Sequence, residues 1–323
     1  MSIADSNRYY LKLKALYYFY KKGYTQTDIA KLLNISRVTL GKLLEEARAE
    51  GMVKIEIVDV RNMLQLLQTE DELKRRFHLR DVVLVDGGVL SDEEVVQKIA
   101  SEAAAYLEQV LRSGMKIGVT WGRTLNMMVN RLSINHAIRD LTVYTLVGST
   151  SSSLNFQPNV LAQNLLHKYS GTSRILTAPF MCHSSRLCAE IKKEPQISQL
   201  LQESRDLDLT LVGIGEAPAA GSARLSDYPF DAEMIAELVN SGAIGDICGN
   251  FFDINGRLCE TSLQKRIVSI DIRDLPHHRM VVGIGGGERK AQSILGALNG
   301  SYLDVLITDL QTASAILRTS TAG

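Results

Sequence analysis

DVVLVDGGVLSDEEVVQKIASEAAAYLEQVLRSGMKIGVTWGRT, residues 81–124, is the stretch whose reading decides the fold. A short Val- and Leu-rich run gives way to a long segment with helical spacing, then to a second short apolar run that stops at Gly122. The alternation continues through LTVYTLVG (141–148), RILTAP (174–179), LDLTLVGIG (207–215), RMVVGIGGG (279–287) and YLDVLITD (302–309). Continuously apolar strands separated by helices predict a mostly parallel α/β sheet covered on both faces. Such sheets bind ligands at the carboxyl ends of their strands. Those ends are where function is to be sought.

Three strand ends carry suggestive residues. Gly118–Thr124 closes a strand and opens a helix, so backbone N–H groups around Gly122, Arg123 and Thr124, with the Arg and Thr side chains, can hold an anion. GIGGGERK (283–290) repeats the design: Gly286 and Gly287 free the backbone, and Lys290 follows on the first helical turn. GAIGDICGNFFDINGR (242–257) places Asp246 on a loop beside a hairpin whose turn is Asp253–Gly256. The polar loop Gly148–Ser153 is a further candidate wall.

The N-terminal segment has a different grammar. Leu11, Leu13, Leu16, Tyr17 and Tyr20 give a helical period that Gly23 ends. Thr25 and Asp28 then form a capping arrangement for a second helix burying Ile29, Ala30, Leu32 and Leu33. Ser36 caps a third helix with an apolar stripe at Leu40, Leu43, Leu44 and Ala47, ended by Gly51. Three short helices with a tight turn before the last make a helix-turn-helix. The stripe leaves Val38, Thr39, Gly41, Lys42 and Glu45 outward, where Val38 can pack on a thymine methyl and Thr39 and Lys42 can reach bases or phosphates. Arg37 and Gln26, at helix starts, suit phosphates. Met52–Val60 alternates like a short strand, and the helical pattern of 62–77 reads as a linker helix that can also pair subunits. The division expected is a DNA-binding domain at 1–60, a linker helix at 61–80 and an effector domain at 81–323.

Charge agrees with that division. Lys plus Arg (36) balances Asp plus Glu (36) over 323 residues, yet residues 1–54 carry ten basic against five acidic side chains. The head is therefore +5 and the remainder −5. A basic head on an acidic body fits one part meeting phosphates while the other does not.

Several chemistries are disfavoured. Cys182, Cys188, Cys248 and Cys259 lack metal-knuckle spacing, as do His277 and His278, so no metal is expected. Asp253, Asn255 and Gly256 open like a calcium loop, but Leu258 and Gln264 break the pattern. Glu288 occupies the third glycine position of a dinucleotide fingerprint, and no cofactor is implied. No apolar run reaches the ~18 residues of a membrane span. Nothing at the N-terminus reads as a signal peptide, so the expectation is a cytoplasmic chain with reduced thiols.

Four quoted stretches carry a resemblance: YYFYKKGYTQTDIAKLLNISRVTLGKLLEEARAEGMVKIEI (17–57), GVTWGRTL (118–125), GAIGDICGNFFDINGR (242–257), and GIGGGERKAQSILGAL (283–298) with LDVLITD (303–309). Together, in this order, they resemble the SorC-type sugar-binding transcriptional regulators over nearly the whole chain. The resemblance implies a regulator of a carbohydrate operon, assembled as a dimer or tetramer, that binds double-stranded operator DNA. It also implies an effector domain similar to sugar-phosphate isomerases and deaminases. The effector implied is a sugar or sugar phosphate held by Gly122, Arg123, Thr124, Asp246 and Gly286 through Lys290. Arg123 stands where some relatives carry Thr; an Arg here either adds an anion contact or fills the pocket. The alternative is an enzyme of the isomerase or deaminase class with an accessory DNA-binding head, which needs an acid and a base in one pocket. Asp246 can serve as one, and no second stands out.

Overall fold

The computed structural model describes residues 3–54, 63–88, 90–150, 157–218 and 230–320. Internal contacts divide the chain into two units, Met1–Asn62 and Met63–Gly323.

The first unit is three helices: α1 (Ile3–Leu16), prolonged by a π-helical turn over Tyr17–Lys21, α2 (Gln26–Leu32) and α3 (Arg37–Ala49). Thr25 Oγ1 accepts from Asp28 N (3.2 Å) and Ser36 Oγ accepts from Thr39 N (3.0 Å), which starts α2 and α3 where the sequence places their caps. Gly23 (φ +69°) and Gly51 (φ +72°) adopt the left-handed conformation that ends a helix. Leu40, Leu43, Leu44 and Ala47 are all buried, as their spacing predicts, and Leu40, Leu44 and Ala47 close on Ala15, Leu16, Ile29 and Ala30. Helix α1 departs from expectation: Leu13, Tyr17 and Tyr20 are exposed, whereas Lys12, Ala15 and Leu16 face inward. The wider π turn advances the helix by less angle per residue, so Tyr18 and Phe19, rather than Tyr17 and Tyr20, pack on the core. Leu32 is also exposed, while Leu33, as expected, and Ile35, which was not expected, pack against the core. Met52–Lys54 are not strand, and 55–60 lie outside the described residues.

The second unit opens with α4 (Leu64–Phe77), then β1 (Asp81–Val85), α5 (Asp92–Val110), β2 (Lys116–Val119), α6 (Arg123–Arg131), β3 (Leu141–Thr145), α7 (Pro158–Lys168) and β4 (Gly171–Arg174). It continues with α8 (Ser185–Lys193), α9 (Pro195–Glu203), β5 (Leu209–Gly213), β6 (Gly215–Glu216), α10 (Ala232–Asn240), β7 (Gly245–Ile247) and β8 (Asn250–Phe252). It closes with β9 (Val281–Ile284), α11 (Ala291–Asn299), β10 (Val305–Asp309) and α12 (Leu310–Ser320). Seven strands form one sheet in the order β1-β10-β9-β5-β2-β3-β4, every pairing parallel. β6, β7 and β8 form a small antiparallel sheet. Separate apolar cores lie on the two faces: Ile99, Leu107, Leu125 and Leu161 of α5–α7 line one, and Leu73, Leu200, Leu238, Ile294 and Ile316 line the other.

Two elements correct the sequence reading. The strand expected at 174–179 lies earlier, at β4, whose four residues are all exposed. An edge strand open to water has no apolar period to betray it, and the apolar Ile175 and Leu176 that follow are packing residues outside the sheet. The helix expected as a linker is a wall of the second unit. Leu66 and Leu73 of α4 join its core, and Glu70 Oε1 accepts the Leu84 N–H (3.0 Å).

Candidate functional site

Chain order along the sheet reverses between β5 and β2: β2, β3 and β4 run outward on one side, and β5, β9 and β10 on the other. That switch point leaves a crevice at the carboxyl ends of β2 and β5. Thr120, buried, supplies one wall, its hydroxyl accepting from Gly213 N (3.2 Å) while its own N–H donates to Leu211 O (3.2 Å). Trp121 follows, half-buried, its ring 4.5 Å from that of Phe180. Gly122 (φ +148°) then turns the chain into α6 in a conformation a side chain rarely adopts, so Arg123 and Thr124 occupy the first helical turn.

Residues 213–216 gather the other motifs. Lys290 Nζ donates to Ile214 O (2.7 Å), which draws a half-buried ammonium to the end of β5. Gly215 pairs in register with Asp246, and Glu216 with Gly245. Thus the GVTWGRT stretch and, over a hundred residues later, the GAIGDICG and GIGGGERK stretches meet within four consecutive residues of the β5–β6 segment. The sequence predicts this meeting only through the strand-end rule, and the antiparallel β6–β7 pairing that brings in Asp246 has no signal in it.

Asp246 is not on a loop. It lies within β7, 2% exposed, with Oδ2 accepting from Gly249 N (2.9 Å). The reason is a two-residue turn at Cys248 (φ +58°) and Gly249 (φ +74°), which makes β7 and β8 a tight hairpin. The expected turn at 253–256 exists as well: Asp253 Oδ1 accepts from Asn255 N and Arg257 N, each at 2.9 Å. A non-glycine at the first turn position hid the earlier hairpin.

Arg123 is exposed and paired with Glu93 Oε2 (2.9 Å) of α5, so it stands at the rim, and Arg289 pairs with the neighbouring Asp92 (3.2 Å). Gly286 and Gly287 do cross the end of β9 as a bare loop. Gly287 (φ +96°) has its N–H already donated to Asp309 Oδ2 (2.8 Å), so that amide is not a donor for a ligand. Asp309 and Thr120 are the residues the motif reading overlooks. Both end apolar strands of the sheet, so the strand-end rule applied to YLDVLITD and KIGVT as well would have found them. Of the polar loop 148–153, Thr150 is held by the Gln157 amide (2.9 Å), and 151–153 lie outside the described residues.

In the head, Val38 is 71% exposed, Arg37, Thr39 and Lys42 are exposed, and Gln26 is half-buried. The Thr39 hydroxyl is engaged with Ser36 Oγ (2.8 Å), so the capping turn already uses it. A Cβ at Gly41 would meet nothing within 4 Å among the described residues, so packing inside the unit does not require this glycine.

No cluster of three or more His, Cys, Asp or Glu able to hold a metal occurs among the described residues, and no helix among them is long and apolar enough to cross a membrane. The four cysteines are buried, and burial with the neighbouring Cys188 pushes the Cys182 thiol up to about 11.

Comparison with known proteins places these observations. Residues 61–318 match the family model described as "Putative sugar-binding domain". The chain is 30% identical over 321 residues to the sorbitol operon regulator of Klebsiella pneumoniae, covering 98% of this chain and all of that one. It is 26% identical to the deoxyribonucleoside regulator of Bacillus subtilis, covering 97% and 99%. The crystal structure of the full-length sorbitol operon regulator SorC from Klebsiella pneumoniae superposes with a TM-score of 0.73 at 29% identity, covering 95% of this chain and 98% of that one.

Proposed function

Since this chain belongs to the sugar-binding family of SorC-type transcriptional regulators, we propose that it binds operator DNA through its N-terminal helices and that a sugar or sugar phosphate in the β2–β5 crevice alters that binding. The observation that carries the reading is the meeting of Thr120, Asp246 and Lys290 on residues 213–216 at the switch point, where Gly122 opens α6. In this arrangement the ammonium of Lys290 and the first turn of α6 take an anionic group, while the buried Asp246 carboxylate accepts from sugar hydroxyls.

The DNA contacts proposed are Val38 and Lys42 on α3 with Thr39 beside them, and Gln26 and Arg37 at the helix starts. Gly41 supports the assignment. A glycine inside a helix costs about 1 kcal/mol, and here no neighbour within the unit repays it, whereas close approach of a DNA backbone would. We propose further that the protein works as a dimer or tetramer, matching two-fold operators, and that it catalyses no reaction. The buried Asp246 is already bound to Gly249 N, and burial pushes the Cys182 and Cys248 thiols up, away from the thiolate form.

The test is fluorescence anisotropy of labelled DNA from upstream of the gene's operon, at fixed salt, with and without free and phosphorylated sugars. The expected result is specific binding that one compound changes by about tenfold or more, a coupling of the usual size. Turnover of any of those compounds by the purified protein would refute the non-catalytic reading.

A further inference from the structure

Asp309 ends β10 and is 2% exposed, and no motif reading points to it. A carboxylate taken out of water is costly unless its oxygens find donors. Here Oδ1 accepts from Thr312 N (2.9 Å), which caps α12, and Oδ2 accepts from the Thr312 hydroxyl (2.6 Å). Capping its own helix would satisfy that role, and Ser or Thr could perform it. The second oxygen does something more, crossing to the loop after the neighbouring strand to accept the Gly287 N–H (2.8 Å).

The loop is shaped around that bond. A Cβ on Gly286 would collide with Asp309 Oδ2 and, at 2.5 Å, with Ile99 Cδ1, so the chain lies flush on the carboxylate where only glycine fits. Gly287 follows at φ +96°. Its carbonyl accepts from Lys290 N (2.8 Å), and Lys290 Nζ reaches Ile214 O (2.7 Å). Three hydrogen bonds therefore run in series from the end of β10, through the loop after β9, to the end of β5.

We propose that Asp309 is a positioning residue of the effector site: by holding the Gly287 N–H it sets the 285–290 loop, and with it the place of Lys290 in the crevice. The inference rests on reading the strand ends as the effector site. It assigns Asp309 no contact with the ligand. Its negative charge is held by the Gly287 N–H, by the N–H and hydroxyl of Thr312, and by the Gln311 amide, which donates to Oδ1 at 3.2 Å.

Asp309→Ser in the full-length chain separates capping from positioning, because Ser can still cap α12 but is too short to reach Gly287. Three readouts are compared: melting temperature, amide exchange of 285–290, and affinity for inorganic phosphate and glucose 6-phosphate as probes. The expected result is exchange of this loop faster by about tenfold and probe affinity weaker by about tenfold, with exchange in the β5 and β10 strands unchanged. Thr312→Val, which leaves the Gly287 bond in place, should change neither by more than about two-fold. Unaltered loop exchange in Asp309→Ser, or faster exchange with undiminished probe affinity, overturns the proposal. Should Asp309→Ser not fold, Gly287→Ala carries the test from the other end of the bond. Its Cβ would meet nothing within 4 Å, yet φ +96° forces the loop to rearrange, so the same loss is expected and retained affinity overturns the proposal. If the wild-type chain binds neither probe, the reading of the site falls and the inference with it. The exchange result in Asp309→Ser then shows whether the tether itself exists.

Discussion

His278 is 5% exposed, its Nδ1 2.7 Å from the Thr210 hydroxyl near the start of β5, at the opposite end of the strand from the crevice. Burial holds its imidazole below the ordinary value near 6.5, against the opposing pull of Ser204, Asp274 and Asp206 and with a smaller push from His277. The folded state therefore keeps this ring neutral at a pH where the unfolded chain already binds a proton. Stability contributed by the neutral ring is complete above about 6.5 and is lost as the pH falls below it. Melting temperature should drop on going from neutral pH towards pH ~5.5, and His278→Gln should flatten that part of the profile. An identical profile in the variant would assign the acid sensitivity elsewhere. At this scale legibility followed chemistry that shows in the alphabet. Gly122 was readable as a turn, and the three glycines before Lys290 as a bare loop at a strand end. The roles of Asp309 and Thr120 were not, since a polar residue closing an apolar run looks like any strand end until its partner is known. Nor was the ion pair of Arg123, since Glu93, 30 residues earlier, gives no hint that it will reach the same rim.

Helix α3 is the element whose sequence and structure agree most fully. Its cap at Ser36 and its four buried positions match the expected ones, because local capping and a 3.6-residue period suffice to define a helix packed on one side. The outward face is thereby fixed as well, and Lys42 lies on it. Lys42→Ala should weaken operator binding by about tenfold and lower the slope of log affinity against log salt by roughly one unit, the signature of a lost phosphate contact. A loss with unchanged slope would move Lys42 from phosphate to base. Elements governed by distant partners were less legible. At the end of α1 a π turn, which leaves no mark in composition, brings Tyr18 and Phe19 rather than Tyr17 and Tyr20 onto the core. β4 is recognisable only through its pairing with β3. α4, polar enough to pass for a linker, is fastened to β1 by Glu70. Burial and the opposing carboxylates of Asp81 and Asp71 push that carboxyl up, partly offset by the Leu84 bond and Lys74.

For the whole molecule, the division into a basic three-helix unit and a larger α/β unit was visible in charge and periodicity, because a change of period is a property of long stretches. Where the helix at 64–77 belongs was not, since the sequence there shows an amphipathic helix and only tertiary contacts choose its host. The division makes the two proposed functions separable. Lys290→Met should abolish the rise in melting temperature produced by the active sugar while leaving operator affinity in its absence within about two-fold, and Lys42→Ala should do the reverse. Equal loss of both activities in either variant would contradict two separate sites. The same architecture also equips the protein for observation. Trp121 is the one tryptophan in the chain, and it stands half-buried on Phe180 immediately before the glycine that opens α6. All indole emission from this molecule thus originates at the mouth of the crevice. A solute that enters there and expels water from the indole changes the colour and yield of that light, so occupancy can be followed in the unlabelled protein, with or without DNA.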